Sequence, residues 1–204
     1  MSLSFSKNTR SGFTLVELVV CIGIIVMITG LVSYNQRGYL NKQNAVQAAD
    51  ILALDLRTAQ VYGTGVKGNS SGNFQDDYGI MLDDSVTANK NGYVSFADQG
   101  SKNGYYDGST SGCTTSECIS RILFQGGATV TRIDVMYANG SVTPVTRADI
   151  VYRRPDLSPR IVLNKVQSIA VSYPGAIGLQ ITITASSGGQ RLVRVYTTGQ
   201  ISVE

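Results

Sequence analysis

"SGFTLVELVVCIGIIV", residues 11–26, decides how the rest of the chain must be read. It opens an apolar run from Phe13 to Val32 in which only Thr14, Glu17 and Thr29 are polar, with Gly23 and Gly30 in between. At about 1.5 Å per residue, a helix of that length spans roughly the 30 Å hydrocarbon core of a bilayer. A carboxylate left unpaired there costs about 3 kcal/mol, so Glu17 needs a reason. Lys7 and Arg10 precede the run and Arg37 and Lys42 follow it, so flanking charge sets no orientation. A cleaved secretory signal has a shorter apolar region and a small-residue cleavage site, whereas "TGLVSYNQ" follows here. A plain signal anchor fits the length but leaves Glu17 without a role.

Taken together, the basic leader, Gly12, "FTLVE" and the apolar stretch closely resemble the leader and N-terminal helix of type IV prepilins and type II secretion pseudopilins. The resemblance implies cleavage by the prepilin peptidase after Gly12, N-methylation of the new terminus at Phe13, and an assembly role for Glu17. Its physical sense is a carboxylate one turn from a positive terminal amine. Pairing with the amine of a neighbouring subunit offsets two desolvation costs at once. Many pilins carry a helix-breaking Pro about twenty residues into the mature chain; this one has none, and Gly30 and Gly38 are the helix-weakening residues of that region.

Composition narrows the rest. The chain has 204 residues, 22 Gly, 11 Tyr, no His and no Trp, which suits strands joined by tight turns. Without histidine, the commonest general base and metal ligand is missing, and no nucleophile, base and orienting group come together in one motif, so the reading is non-enzymatic with no cofactor and no metal. Net charge is +3, but without the first twelve residues the balance is 15 basic to 14 acidic. Residues 147–204 hold seven basic and three acidic residues, which would make a basic face unless strand alternation scatters them. Cys113 and Cys118, in "GCTTSEC", permit a small disulfide-closed loop if the head lies outside the cytoplasm; free thiols are the alternative. Cys21 has no evident partner and reads as a small apolar side chain.

Residues 44–63, "NAVQAADILALDLRTAQVYG", place Ala45, Ala48, Ala49, Leu52, Leu56 and Ala59 at three- and four-residue steps. This predicts an amphipathic helix with a small-residue stripe, with Asp50, Asp55, Arg57 and Gln60 directed away from it and Gly63 and Gly65 as its stop. Joined to the apolar segment, it makes one helix from about residue 14 to 62. Beyond it, "YGIML", "GYVSFA", "ISRILF", "ATVTRIDVMY", "DIVYRR", "PRIVLN", "SIAVSYP", "LQITITAS" and "RLVRVYTTGQISVE" read as strands, with "SSGG" and "TTGQ" as hairpin turns. The expected fold is α+β and pilin-like, a long N-terminal helix packed on an antiparallel sheet or sandwich. The expected organisation is leader 1–12, membrane and filament-core half 13–34, amphipathic half 35–62 and β-rich head 63–204. "ADILALDLRTAQ", "YGIML", "GYVSFAD", "DIVYRRPD" and the closing hairpin resemble the head of GspH/FimT-type minor pseudopilins.

Other constellations carry less. "DQGSKNGYYD", residues 98–107, has Asp98, Asn103 and Asp107 around Gly104, but Gly100 and Lys102 occupy places where a calcium loop wants oxygens, so it reads as a polar turn. The pairs Asp76–Asp77 and Asp83–Asp84 read as solvated turn residues, and "GTGVKG" lacks the strand and helix a phosphate loop requires. The Tyr residues of "NGYYDG" could stack on a ligand, though Tyr is a common strand residue.

The expected function is that of a filament subunit, a minor pilin or pseudopilin of type II secretion or type IV pilus biogenesis. The resemblance implies an inner-membrane, single-pass protein with its head in the periplasm or outside the cell, later extracted into a filament by a secretion ATPase. Implied partners are other pilin subunits, the prepilin peptidase, the assembly platform and the membrane. The rival reading is a DNA-binding minor pilin for competence, with Arg191 and Arg194 on phosphates; a tip adhesin is a third.

Overall fold

The computed structural model describes residues 12–65, 76–99, 102–109, 112–113, 115–186 and 188–204, with the backbone alone for 35–42 and 167. Its first element, α1, runs Leu15–Thr64. The chain divides into two compact units, residues 1–39 and 40–204. In the first unit, every large apolar side chain described from Phe13 to Tyr34 is exposed. The Leu15–Tyr34 part of α1 is long and apolar enough to cross a membrane. Thr29 turns its hydroxyl back onto the Ile25 carbonyl at 2.7 Å, which satisfies it within the helix.

The second unit is built on the small-residue stripe. Ala45, Ala48, Ala49, Leu52, Ala53, Leu56 and Ala59 are all buried, and the short alanines let the helix backbone approach strands closely. Leu52 and Leu56, fully buried, each contribute about 2 kcal/mol of transfer free energy. Gly63 is not the expected stop: it lies inside α1, where a Cβ would run into the Tyr152 backbone carbonyl. Close packing, not termination, is what requires glycine there. The helix ends one residue on, at Thr64, and Gly65 just beyond it still returns its N–H to Val61 O at 2.8 Å.

Eleven strands follow among the described residues. They are β1 (Asp77–Asp83), β2 (Gly92–Asp98), β3 (Cys118–Leu123), β4 (Thr129–Tyr137), β5 (Val142–Val145), β6 (Arg147–Tyr152), β7 (Arg160–Leu163), β8 (Gln167–Ser168), β9 (Ala176–Thr184), β10 (Gln190–Tyr196) and β11 (Ile201–Val203). A four-residue helical turn, α2 (Ile169–Ser172), sits between β8 and β9. The strands form two antiparallel sheets, ordered β3-β2-β1-β6-β7-β8 and β11-β10-β9-β4-β5. One core joins Leu52 and Leu56 to Ile80, Leu82 and Ile150 of the first sheet and to Ile133, Ile181 and Val193 of the second. The α+β architecture, an apolar helix followed by two antiparallel sheets, is the one the sequence implies.

Several expectations give way. "SIAVSYP" is not a strand. Its buried Ile169 and partly buried Tyr173 lie four apart, the Tyr173 N–H bonds to Ile169 O, and Pro174-Gly175 then turns the chain with Gly175 at positive φ. Strand β5 is not among the strands the sequence predicts, since it contains Pro144; the proline is tolerated because β5 is an edge strand. Asp50 and Arg57 do face solvent, but Asp55 and Gln60 are half-buried seam residues. The Gln60 amide donates to Leu157 O and Gly199 O at 3.1 and 3.2 Å.

The paired aspartates are not solvated either. Asp76, Asp77 and Asp83 are buried, and Asp84 is half-buried. Asp83 accepts the Ser85 N–H and hydroxyl and the Asn89 amide, which organises the turn after β1. In "DQGSKNGYYD" the described residues form a strapped loop with Asp98 and Tyr106 fully buried. Three carboxylates hold its backbone: Asp98 accepts from Gly104 N, Asp149 from Tyr106 N and Glu117 from Asp107 N, at 2.7, 3.0 and 2.9 Å. Gly100 and Ser101 of that stretch, the "VKG" of the phosphate-loop candidate, and Ser187 of the "SSGG" turn lie outside the described residues.

Candidate processing and assembly site at the start of the long helix

Gly12 and Phe13 are exposed and stand in irregular backbone just before α1; Phe13 is 77% exposed. A peptide bond in that setting is free to be drawn into another protein's active site, which a helical bond is not. Lys7 and Arg10 of the leader lie outside the described residues.

With Leu15 as the first helical residue, Thr14 is the N-cap and Glu17 the third position of the first turn. The Thr14 hydroxyl accepts the Glu17 N–H at 3.3 Å, and the Leu18 N–H reaches Thr14 O at 3.2 Å. Thr-x-x-Glu is a capping-box sequence. The signal is local and lies in "TLVE" itself, where the Glu side chain carries the charge and the amide behind it takes the cap. A negative charge in the first turn also suits the positive end of the helix dipole. Glu17 is exposed and has no ion-pair partner among the described residues.

The other site candidates fall elsewhere. Cys113 and Cys118 form a disulfide with Cα atoms 5.2 Å apart. It closes the segment that carries Glu117 and so fixes one of the three carboxylates of the strapped loop. Cys21 is a free, exposed thiol. Arg191 and Arg194 do not converge: three positions apart on β10, they project to opposite faces of the sheet. Arg194 is also engaged, donating to Gln180 Oε1 at 3.0 Å and pairing with the Glu204 carboxylate at 2.5 Å. Of the remaining C-terminal basic residues, Arg147 is buried against Asp149 and Arg153 lies 3.7 Å from Asp77. Tyr106 is a core residue tilted against Phe96, and Tyr105 lies under the Lys165 ammonium. No group of three or more metal-ligating side chains occurs among the described residues.

Comparison with known proteins adds one match. No curated protein and no solved structure matches the chain. Residues 7–33 match the family model described as the prokaryotic N-terminal methylation motif. That match covers the second half of the leader, the Gly12–Phe13 junction, the Thr14 cap and Glu17. Processing by a prepilin peptidase and assembly with other pilins follow from such a motif, and with the exposed apolar helix it marks the chain as a type IV pilin-like subunit.

Proposed function

We propose that the chain is a minor pilin or pseudopilin, cut after Gly12, N-methylated at Phe13 and inserted in a filament through α1, in type II protein secretion or type IV pilus biogenesis. Its late hairpin and two-sheet head support the GspH/FimT branch. Residues 13 to about 34 hold the precursor in the inner membrane as a single pass, with the head on the periplasmic side. The role is structural, not enzymatic.

One observation carries the reading: a carboxylate, Glu17, with no ion-pair partner among the described residues, in the first turn of an exposed, largely apolar helix. Cleavage after Gly12 creates an ammonium at Phe13, about one helical turn away. Glu17 is exposed and meets no ion-pair partner among the described residues, so in this reading the complementary charge comes from the terminus of a neighbouring subunit. Glu17→Ala removes the attraction but not the Gly12–Phe13 junction. It should therefore be processed normally while its incorporation in purified filaments drops at least about ten-fold, the scale of losing one charge-assisted pair. Normal incorporation of that variant would refute the pairing role.

A further inference from the structure

On the head, a groove of about 360 Å³ opens between the α1 residues Asp55 and Tyr62 and the edge strand β3. It is also lined by Tyr78 of β1, Ser95 of β2 and Ser120 and Ile122 of β3, the strand on its outer side. It lies wholly within the second unit and is independent of how the N-terminus is processed.

Three features define what it would hold. Asp55 is the only charged residue on its walls among the described residues, and it has no ion-pair partner there. Among the described residues its bond is from the Tyr93 hydroxyl, at 2.5 Å. Burial, reinforced by that carboxylate, pushes the Tyr93 phenol well above its usual range, so Tyr93 remains a donor and orients the carboxylate. Ser95 and Ser120 face each other across the β2–β3 pair, and neither hydroxyl has a partner among the described residues. The Tyr62 and Tyr78 rings, 5.7 Å apart and edge-on, make an aromatic end wall.

A carboxylate, two hydroxyl acceptors and aromatic faces together complement a planar cation with several donors, which is a guanidinium. The strand beside the groove supplies the carrier. Among the described residues β3 pairs with β2 alone and no described strand lies along its other edge, with Ile119 and Leu123 about half exposed. A β-bulge between Ser95 and Phe96 breaks the register at the start of β3, so the regular edge begins at Ser120. An added strand would lie about 4.8 Å beyond β3 and roughly 10 Å beyond β2, which carries the Tyr93 that holds Asp55. Only a long side chain covers that reach, and alternation sends every second one to the groove side.

We propose that this groove binds an arginine side chain presented by an extended segment of a partner protein that pairs with the outer edge of β3. The test uses the full chain in detergent micelles. The probe is a fluorescent five-residue valine–threonine peptide with a central arginine, set against the same peptide with the neutral isostere citrulline. The arginine peptide should bind at least about ten-fold more tightly, the scale of a charge-assisted bond. Asp55→Asn should erase that preference, and N-methylating the peptide backbone on its strand-pairing side should abolish binding. Ser120→Trp, at an exposed position of β3, fills the groove without touching Asp55 and should abolish binding in a chain that still melts like the parent. Equal binding of the citrulline peptide would overturn the proposal, as would retention of the preference in Asp55→Asn or undiminished binding to Ser120→Trp.

Discussion

The hydroxyl of Thr14 accepts the backbone N–H of Glu17 at 3.3 Å, so the carboxylate singled out by its cost in hydrocarbon sits in a capped first turn. The cap and the charge act on the same turn by different atoms. Removing the cap should therefore loosen the turn without removing the charge. Thr14→Ala loses about 1 kcal/mol of capping, which predicts roughly five-fold faster amide exchange at Glu17 and Leu18 in micelles, with Thr14→Ser near the parent. Unchanged exchange in Thr14→Ala would mean that the hydroxyl does not hold that end.

Arg147 is the buried cation of the head. It bonds both oxygens of Asp149 at 2.8 and 2.9 Å and donates to Tyr106 O at 2.7 Å. Burial still holds the Asp149 carboxyl above its ordinary range despite these bonds. Arg147→Met would strand that carboxylate and lower unfolding stability by about 3–5 kcal/mol in urea titrations. The double variant with Asp149→Leu should recover part of the loss, since both charges go together.

Asp98 gives the head a pH dependence. Burial first, then the nearby Glu117, Asp77 and Asp107 carboxylates, push its pKa up to about 6, against an opposing bond from Gly104 N–H. A carboxyl that binds its proton more tightly folded than unfolded stabilises the fold at low pH, and that contribution is lost as pH rises through its folded value. Between pH 4 and 6 the denaturation midpoint should therefore fall with rising pH. Asp98→Asn keeps an oxygen for Gly104 and should flatten part of that slope. A parent midpoint that rises over this window would contradict the assignment.

Reducing the disulfide tests the strap from the other side. Cys113 and Cys118 are five residues apart, so chain entropy assigns their bond about 2 kcal/mol. For a head of this size, that predicts a melting temperature lower by about 5 °C in reductant, and the same drop in Cys113→Ser with Cys118→Ser.

The N-terminal helix was legible because its signals are local. Apolar length, Gly12, Phe13 and Glu17 lie within a few turns, and the Ala45–Ala59 stripe needs only a helical period. Most strands were legible for the same reason: Leu179, Ile181 and Ile183 alternate against Gln180, Thr182 and Thr184, and the first three are buried in β9. The strapped loop was not legible, because Asp149 meets Tyr106 across 43 residues of sequence and nothing near either residue announces it. The same holds for Asp55, whose hydroxyl partner, Tyr93, comes from a strand 38 residues away. A charged residue on a helix reads as solvent-facing until its neighbour is known. The turn α2 failed for a different reason: "IAV" suits a strand by propensity, and only the placement of Tyr173 and Pro174-Gly175 makes it a turn.

Everything said of assembly begins with the bond between Gly12 and Phe13, so that bond offers the most direct measurement. The chain should be expressed in a host with an active prepilin peptidase, recovered from membranes, and its N-terminal peptide weighed. The account predicts a chain that starts at N-methylated Phe13, with residues 1–12 gone. A chain that keeps its leader through Gly12 in the presence of active peptidase would contradict it.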